Sequence, residues 1–152
     1  MKQIRIKVNK IIEKFLVLIL LGMVLNVIWQ VFTRFFTSSP SAFTNELARY
    51  LMIWLGILGA AYISGKQEHV AIDFFVKKLN NSLRRFIDRF VLLSILSFAF
   101  FVMIIGGINL VYITLKLEQY SPSLQIPLAL VYSIIPISGL LIIFYKVTQE
   151  KS

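Results

Sequence analysis

Four long runs of apolar residues, nearly free of charge and set between short polar or basic stretches, constrain this chain more than any other feature. They lie at about 15–34, 46–64, 88–115 and 126–146. A hydrocarbon core about 30 Å thick is crossed by about 20 apolar residues in a helix, so each run is long enough to span it. No water reaches the backbone in lipid, and every amide and carbonyl must then bond within its own segment, which makes each run a helix. The third run exceeds the membrane thickness and is expected to tilt or project. The first run is too long for the roughly 7–15 apolar residues of a secretory signal, and no small-residue cleavage site follows it. It reads as a retained span. The expectation is an all-α integral membrane domain covering 1–152, with four transmembrane helices.

Composition closes off the soluble alternative. Of the 152 residues 58% are hydrophobic and the mean hydropathy is +0.80, against roughly 45–50% apolar residues in soluble domains. A soluble domain of this size would hide only about 70% of its chain surface, leaving much of that apolar area in water.

The net charge of +9 is explained by where the bases sit. Lys2, Arg5, Lys7, Lys10 and Lys14 precede the first run; Lys66, Lys77, Lys78, Arg84, Arg85 and Arg89 lie around the connection between the second and third. Nucleic-acid binders gather their bases on one solvated face, so no nucleic-acid partner is expected here. With both termini in the cytoplasm, every Lys and Arg except Arg34, Arg49 and Lys116 falls on the inner side, as the positive-inside rule requires. There is no cysteine, hence no disulfide framework and no thiolate metal site.

The connections differ in kind. Thr37-Ser38-Ser39-Pro40-Ser41 and Glu118-Gln119-Tyr120-Ser121-Pro122-Ser123 read as short outer turns, rich in residues that stop helices. Pro127 then opens the fourth run, where its missing N–H costs little. On the inner side Ile72, Phe75, Val76, Leu79, Leu83, Phe86 and Ile87 share one helical face. This predicts an amphipathic helix at about 70–83 lying in the interface, with Lys77, Lys78, Arg84 and Arg85 towards phospholipid head groups. An ordinary cytoplasmic extension of the third span fits the same residues equally well.

Ionisable groups inside a membrane mark function by default, and here no acid lies near the centre of any run: Glu13, Asp88 and Glu118 are all near interfaces. A chain moving protons or cations by itself would be expected to carry such a carboxylate. Arg34 ends the first run and can snorkel outwards. Glu46 and Arg49 are three residues apart and can pair on one face, or hold a partner subunit or the outer end of the first span at Arg34. His69 is the only histidine; alone it makes no metal site, and it reads as a loop residue or a contact of Asp73. Trp54 lies too deep for the interfacial belt and should pack against another helix. Gly56, Gly59, Ala60 and Ala61, and again Gly106-Gly107, form small-residue surfaces where helices can approach closely. Pro136, followed by Gly139, should kink the fourth span. No phosphate loop, nucleophile elbow, zinc-protease motif or carboxylate pair is present, so neither catalysis nor a cofactor is expected.

Arg34-Phe35-Phe36, Glu46-Leu47-Ala48-Arg49-Tyr50, Trp54, Gly59-Ala60-Ala61, His69 and Asp73 resemble the small membrane subunit of tripartite ATP-independent periplasmic (TRAP) transporters. Ser121-Pro122-Ser123-Leu124-Gln125-Ile126-Pro127, with Tyr132, Pro136 and Gly139, is similar to that family's fourth span. The resemblance runs from about Ile11 to Tyr145; Lys66-Gln67-Glu68 departs from it where a glycine is common. It implies a secondary transporter in a bacterial inner membrane that takes up an organic acid such as sialic acid or a C4-dicarboxylate. A soluble periplasmic protein would deliver the substrate to a large membrane subunit of about a dozen spans, which would carry the substrate and sodium sites. The small subunit would scaffold the large one, with Arg34, Glu46, Arg49, Tyr50, Trp54, Gly59, His69, Asp73, Pro127 and Pro136 as candidate interface or structural residues. Two other readings stay open: a self-sufficient four-helix transporter, and the membrane anchor of a redox complex, which would need axial histidines within its spans.

Overall fold

The computed structural model describes residues 2–37, 42–66 and 81–149. Helix α1 covers Lys2–Thr37 and α2 Ala42–Gly65. The third span is composite: α3 (Asn81–Ser97), a π-helical stretch (Phe98–Gly106) and α4 (Gly107–Lys116). The fourth consists of α5 (Leu128–Tyr132) and α6 (Ile134–Gln149). Four stretches are long and apolar enough to cross a membrane, namely Gln3–Phe36, Ala42–Gly65, Arg85–Lys116 and Leu128–Thr148. The four-span, all-helical architecture expected from hydropathy is therefore present, and the described residues contain no strand beyond one isolated bridge, Tyr120 to Pro127.

Two helices extend beyond the apolar runs. At 1.5 Å per residue the 36-residue α1 is roughly 54 Å long, so its basic first turns project beyond the hydrocarbon. The helix of the third span is described from Asn81, ahead of its membrane-length apolar stretch, Arg85–Lys116. Most of the expected interfacial segment lies outside the described residues, and its last three positions, 81–83, already belong to α3.

The helices form a layer. Helix α1 packs on α2, α2 on α6, and α6 on the π-helical part of the third span, which leaves α1 and the third span at opposite edges. The middle pair runs in the same direction. Trp54 on α2 meets Val131, and Gly65 further along meets Tyr145. Helix α1 runs the opposite way to α2, pairing Asn26 with Thr44 and Arg5 with Gly65. Both chain ends therefore lie at one end of the layer and the 118–127 turn at the other.

Packing follows from small residues. A methyl group on Gly107 would stand 2.9 Å from Pro136 Cδ, and one on Gly139 2.9 Å from Met103 Cβ and 3.1 Å from the Ala99 carbonyl oxygen. Only glycine lets the third and fourth spans approach this closely. Ala61 and Ala99, both without exposed surface, join Ile142 in one cluster; Ile12, Leu58, Ile134 and Tyr145 form another. Pro136 breaks the fourth span as expected. It has no N–H to offer the Tyr132 carbonyl, Ser133 separates α5 from α6, and the Ile137 N–H reaches the Ser133 oxygen only at 3.4 Å.

Candidate functional site

Helix α4 ends in a Schellman turn. The Glu118 N–H bonds to Leu115 O at 3.0 Å and the Gln119 N–H to Thr114 O at 3.1 Å, with Glu118 in the left-handed region at φ 47° where glycine is usual. The chain then folds into a miniature hairpin: Ser121 N–H donates to Ile126 O and Leu128 N–H to Gln119 O, each at 2.9 Å. Gln125 closes it at φ 56°. Two non-glycine residues in this region cost roughly 1–2 kcal/mol each, which surrounding contacts must offset.

Glu46 supplies those contacts from another span. Its Oε2 accepts the Ser123 N–H at 2.8 Å and the Leu124 N–H at 3.2 Å, and its Oε1 accepts the Tyr50 hydroxyl at 2.9 Å. The buried Ser121 hydroxyl bonds to the same carboxylate and accepts from Leu124 N–H at 3.2 Å. The Glu46–Arg49 pair allowed by their spacing is displaced by this arrangement, because both carboxylate oxygens already hold these donors. Arg49 and Arg34 are exposed.

Deeper in the layer, Trp54 donates its Nε1–H to Val131 O at 3.0 Å and lies 6.0 Å from the Phe15 ring. Its partners are thus helices of its own chain. Asn26, the buried polar residue of α1, donates to Thr44 O at 2.8 Å. Beside it α1 and α2 border an apolar groove of about 640 Å³ lined by Leu25, Trp29, Phe32 and Phe43 among others. At the terminal end Arg5 donates to Gly65 O, the Tyr145 hydroxyl donates to Asn9 Oδ1 at 2.6 Å, and Lys66 Nζ lies 4.7 Å over the Tyr62 ring. Lys146 is buried there.

The structure brings Glu46, Tyr50 and Trp54 onto one side of α2 facing the fourth span, with Pro127 in the bridge above and Pro136 against Gly107. Among the described residues nothing lies within 4 Å of where a Cβ on Gly59 or on Gly56 would be. Arg85 is exposed on α3, and Arg84 belongs to that helix with its side chain outside the described set. His69, Asp73, Lys77 and Lys78 lie outside the described residues. Sequence reasoning did not single out Asn9 or Tyr145, which are 136 residues apart in the chain, and it placed Ser121 only as a turn residue. Among the described residues no group of three or more His, Cys, Asp or Glu could hold a metal ion.

A layer of four membrane-length helices, clipped by polar contacts at both ends and broadly apolar outside, defines a multi-pass membrane protein. Residues 23–149 match the family model for the DctQ component of the tripartite ATP-independent periplasmic transporters, and the chain belongs to that family. A TRAP transporter small permease protein of Haemophilus influenzae (strain Rd) is 29% identical over 145 residues, 93% of this chain and 86% of that protein. The C4-dicarboxylate TRAP transporter small permease protein DctQ of Rhodobacter capsulatus is 36% identical over 102 residues, 66% of this chain and 44% of that one. The sialic acid TRAP transporter permease protein SiaT of another Haemophilus influenzae strain is 36% identical over 66 residues, 43% of this chain but only 11% of its own length.

Proposed function

We propose that this TRAP-family small permease subunit scaffolds a large membrane subunit during sodium-coupled uptake of an organic acid, delivered by a soluble binding protein on the periplasmic side. One observation carries the reading. Asn26 and Trp54, polar side chains deep within the spans, are engaged in helix contacts, while large apolar side chains on the outer faces stay uncovered, Leu18 at 65% and Leu93 at 65% exposed. Such a layer offers surface for a neighbouring membrane protein and lipid rather than a polar path of its own. The relatives named for C4-dicarboxylate and sialic acid systems support an organic acid as substrate. The long SiaT permease, which the chain matches over a small fraction, supports a large membrane partner. Sodium would bind that partner. Placement in a bacterial inner membrane with both termini cytoplasmic follows from the basic residues at the terminal end, and Lys77, Lys78, Arg84 and Arg85 are assigned to phospholipid head groups on the same ground.

A tagged copy extracted in mild detergent should co-purify with a stoichiometric large membrane protein, and the chain alone in liposomes should drive no uptake. Uptake by the chain alone would replace the scaffold with a self-sufficient small transporter.

A further inference from the structure

We propose that the open face of α2 seats a transmembrane helix of the large subunit, and that this helix carries an Asp or Glu paired with Arg49. The inference rests on the functional reading above for the existence of that partner, and adds the face and the charge through which it binds. A hydrocarbon core about 30 Å thick, entered at Gly65 beside Lys66, still surrounds the backbone of Arg49, which lies about 24 Å further along α2. Arg49 is exposed, and among the described residues nothing pairs with it. Glu46, the nearest acid on the same helix, is taken: its two oxygens hold the Tyr50 hydroxyl and the Ser123 and Leu124 amides. A cation in a span is costly when it faces hydrocarbon, and it pairs with an anion where one is in reach.

What continues below Arg49 decides between a lipid head group and a protein. Asn45, Arg49, Met52, Gly56, Ala60 and Ile63 recur at intervals of three and four and are all exposed, which makes them one stripe. A Cβ on Gly56, or on Gly59 beside the stripe, would meet nothing within 4 Å. Glycine inside a helix is less stable there than alanine. Gly65, Gly107 and Gly139 offset that loss with contacts a side chain would block, whereas Gly56 and Gly59 gain nothing from the described residues of their own chain. A flat strip of this kind lets the backbone of a second helix come close. Acyl chains, being fluid, have no need of it. A head-group phosphate would satisfy the charge alone; a closely packed helix with a carboxylate at the level of Arg49 satisfies the charge and the strip together. The guanidinium fork fits a carboxylate with two parallel hydrogen bonds.

The test is made on the whole complex in its native membrane. Benzoylphenylalanine placed at Met52 or at Ala60 of a tagged chain should, on illumination, give a covalent product that contains the large subunit. Arg49→Glu should lower recovery of the large subunit with the tagged chain about tenfold or more, and reversing one acid within the large subunit's spans to Arg should restore it. Gly56→Leu with Gly59→Leu should lower recovery to a similar degree while the unfolding midpoint of the isolated chain in detergent does not fall, a separation that a merely structural role would not produce. The glycine pair decides the matter if Arg49→Glu inserts poorly. Photoproducts with lipid alone, or undiminished recovery in both the Arg49 and the glycine variants, would overturn the inference while the functional reading stands. A wild-type chain that brings down no large membrane protein would overturn both.

Discussion

Tyr145 has no exposed surface; its hydroxyl donates to Asn9 Oδ1 at 2.6 Å, and its ring fills the space a side chain at Gly65 would take. One residue on α6 thus ties down both α1 and α2. Tyr145→Phe keeps the ring and removes one hydrogen bond, which should cost about 0.5–1.5 kcal/mol. Gly65→Ala puts a methyl 2.8 Å from the ring and should cost about 1–3 kcal/mol, since the buried phenol has little room to retreat. Denaturant titration in detergent reads both. A cycle with Asn9→Ala should show coupling between Asn9 and Tyr145; additive losses would show that the 2.6 Å contact contributes nothing of its own.

Glycines that look alike along the chain do different work in different elements. Gly139 sits where the fourth span meets the π-helical stretch, and a Cβ there would meet Met103, Ile104 and the Ala99 backbone within 3.1 Å. Gly139→Ala should destabilise the isolated chain by about 1–3 kcal/mol. Gly59 faces open space, so Gly59→Ala should leave the isolated chain unchanged or up to about 1 kcal/mol more stable through helix propensity. Unfolding midpoints in one detergent compare the two, and equal losses would mean that α2 meets a neighbour at Gly59 even in the isolated chain. The same contrast shows what the sequence could and could not reveal. The spans were legible because hydrocarbon dictates both their length and their polarity, and the Pro136 break because proline lacks a donor. The order of the layer, with the fourth span between the second and third, was not legible: in lipid every span is apolar on all sides, so hydropathy carries no pairing information. The end of α4 at Leu117–Glu118 lacks the glycine that would signal it, and the π-helical stretch sits at a contact between distant segments. Glu46 stood out, yet the partners the sequence offered for it were Arg49, Arg34 or another subunit. Its amide donors arrive 77 and 78 residues later.

At the scale of the whole molecule the layer has two unlike ends, and the proposed topology places each on its own side of the membrane. Arg5 against Gly65 and Asn9 against Tyr145 place the start of α1 beside the end of α6, so both termini share an end with Lys7, Lys10, Lys66 and Lys146. The opposite end carries the hairpin, with Arg34 and Lys116 as its bases. In the topology proposed above, basic residues are retained on the cytoplasmic side during insertion and the hairpin faces outwards. The chain contains no cysteine, so a single introduced thiol reports sidedness without background. Gln3 and Pro122 are both exposed and take no part in the contacts described above. Pro122→Cys should react with a membrane-impermeant maleimide added to intact spheroplasts, and Gln3→Cys only after the membrane is opened. Labelling of Gln3→Cys from outside would invert the topology and turn the hairpin to the cytoplasm. Reversing Lys77, Lys78, Arg84 and Arg85 to Glu probes the same asymmetry from the inner side. If these residues hold the connection at the head groups, the reversed chain should assemble with its partner in lower yield, and the loss should shrink in membranes depleted of anionic lipid, because the attraction is to their charge.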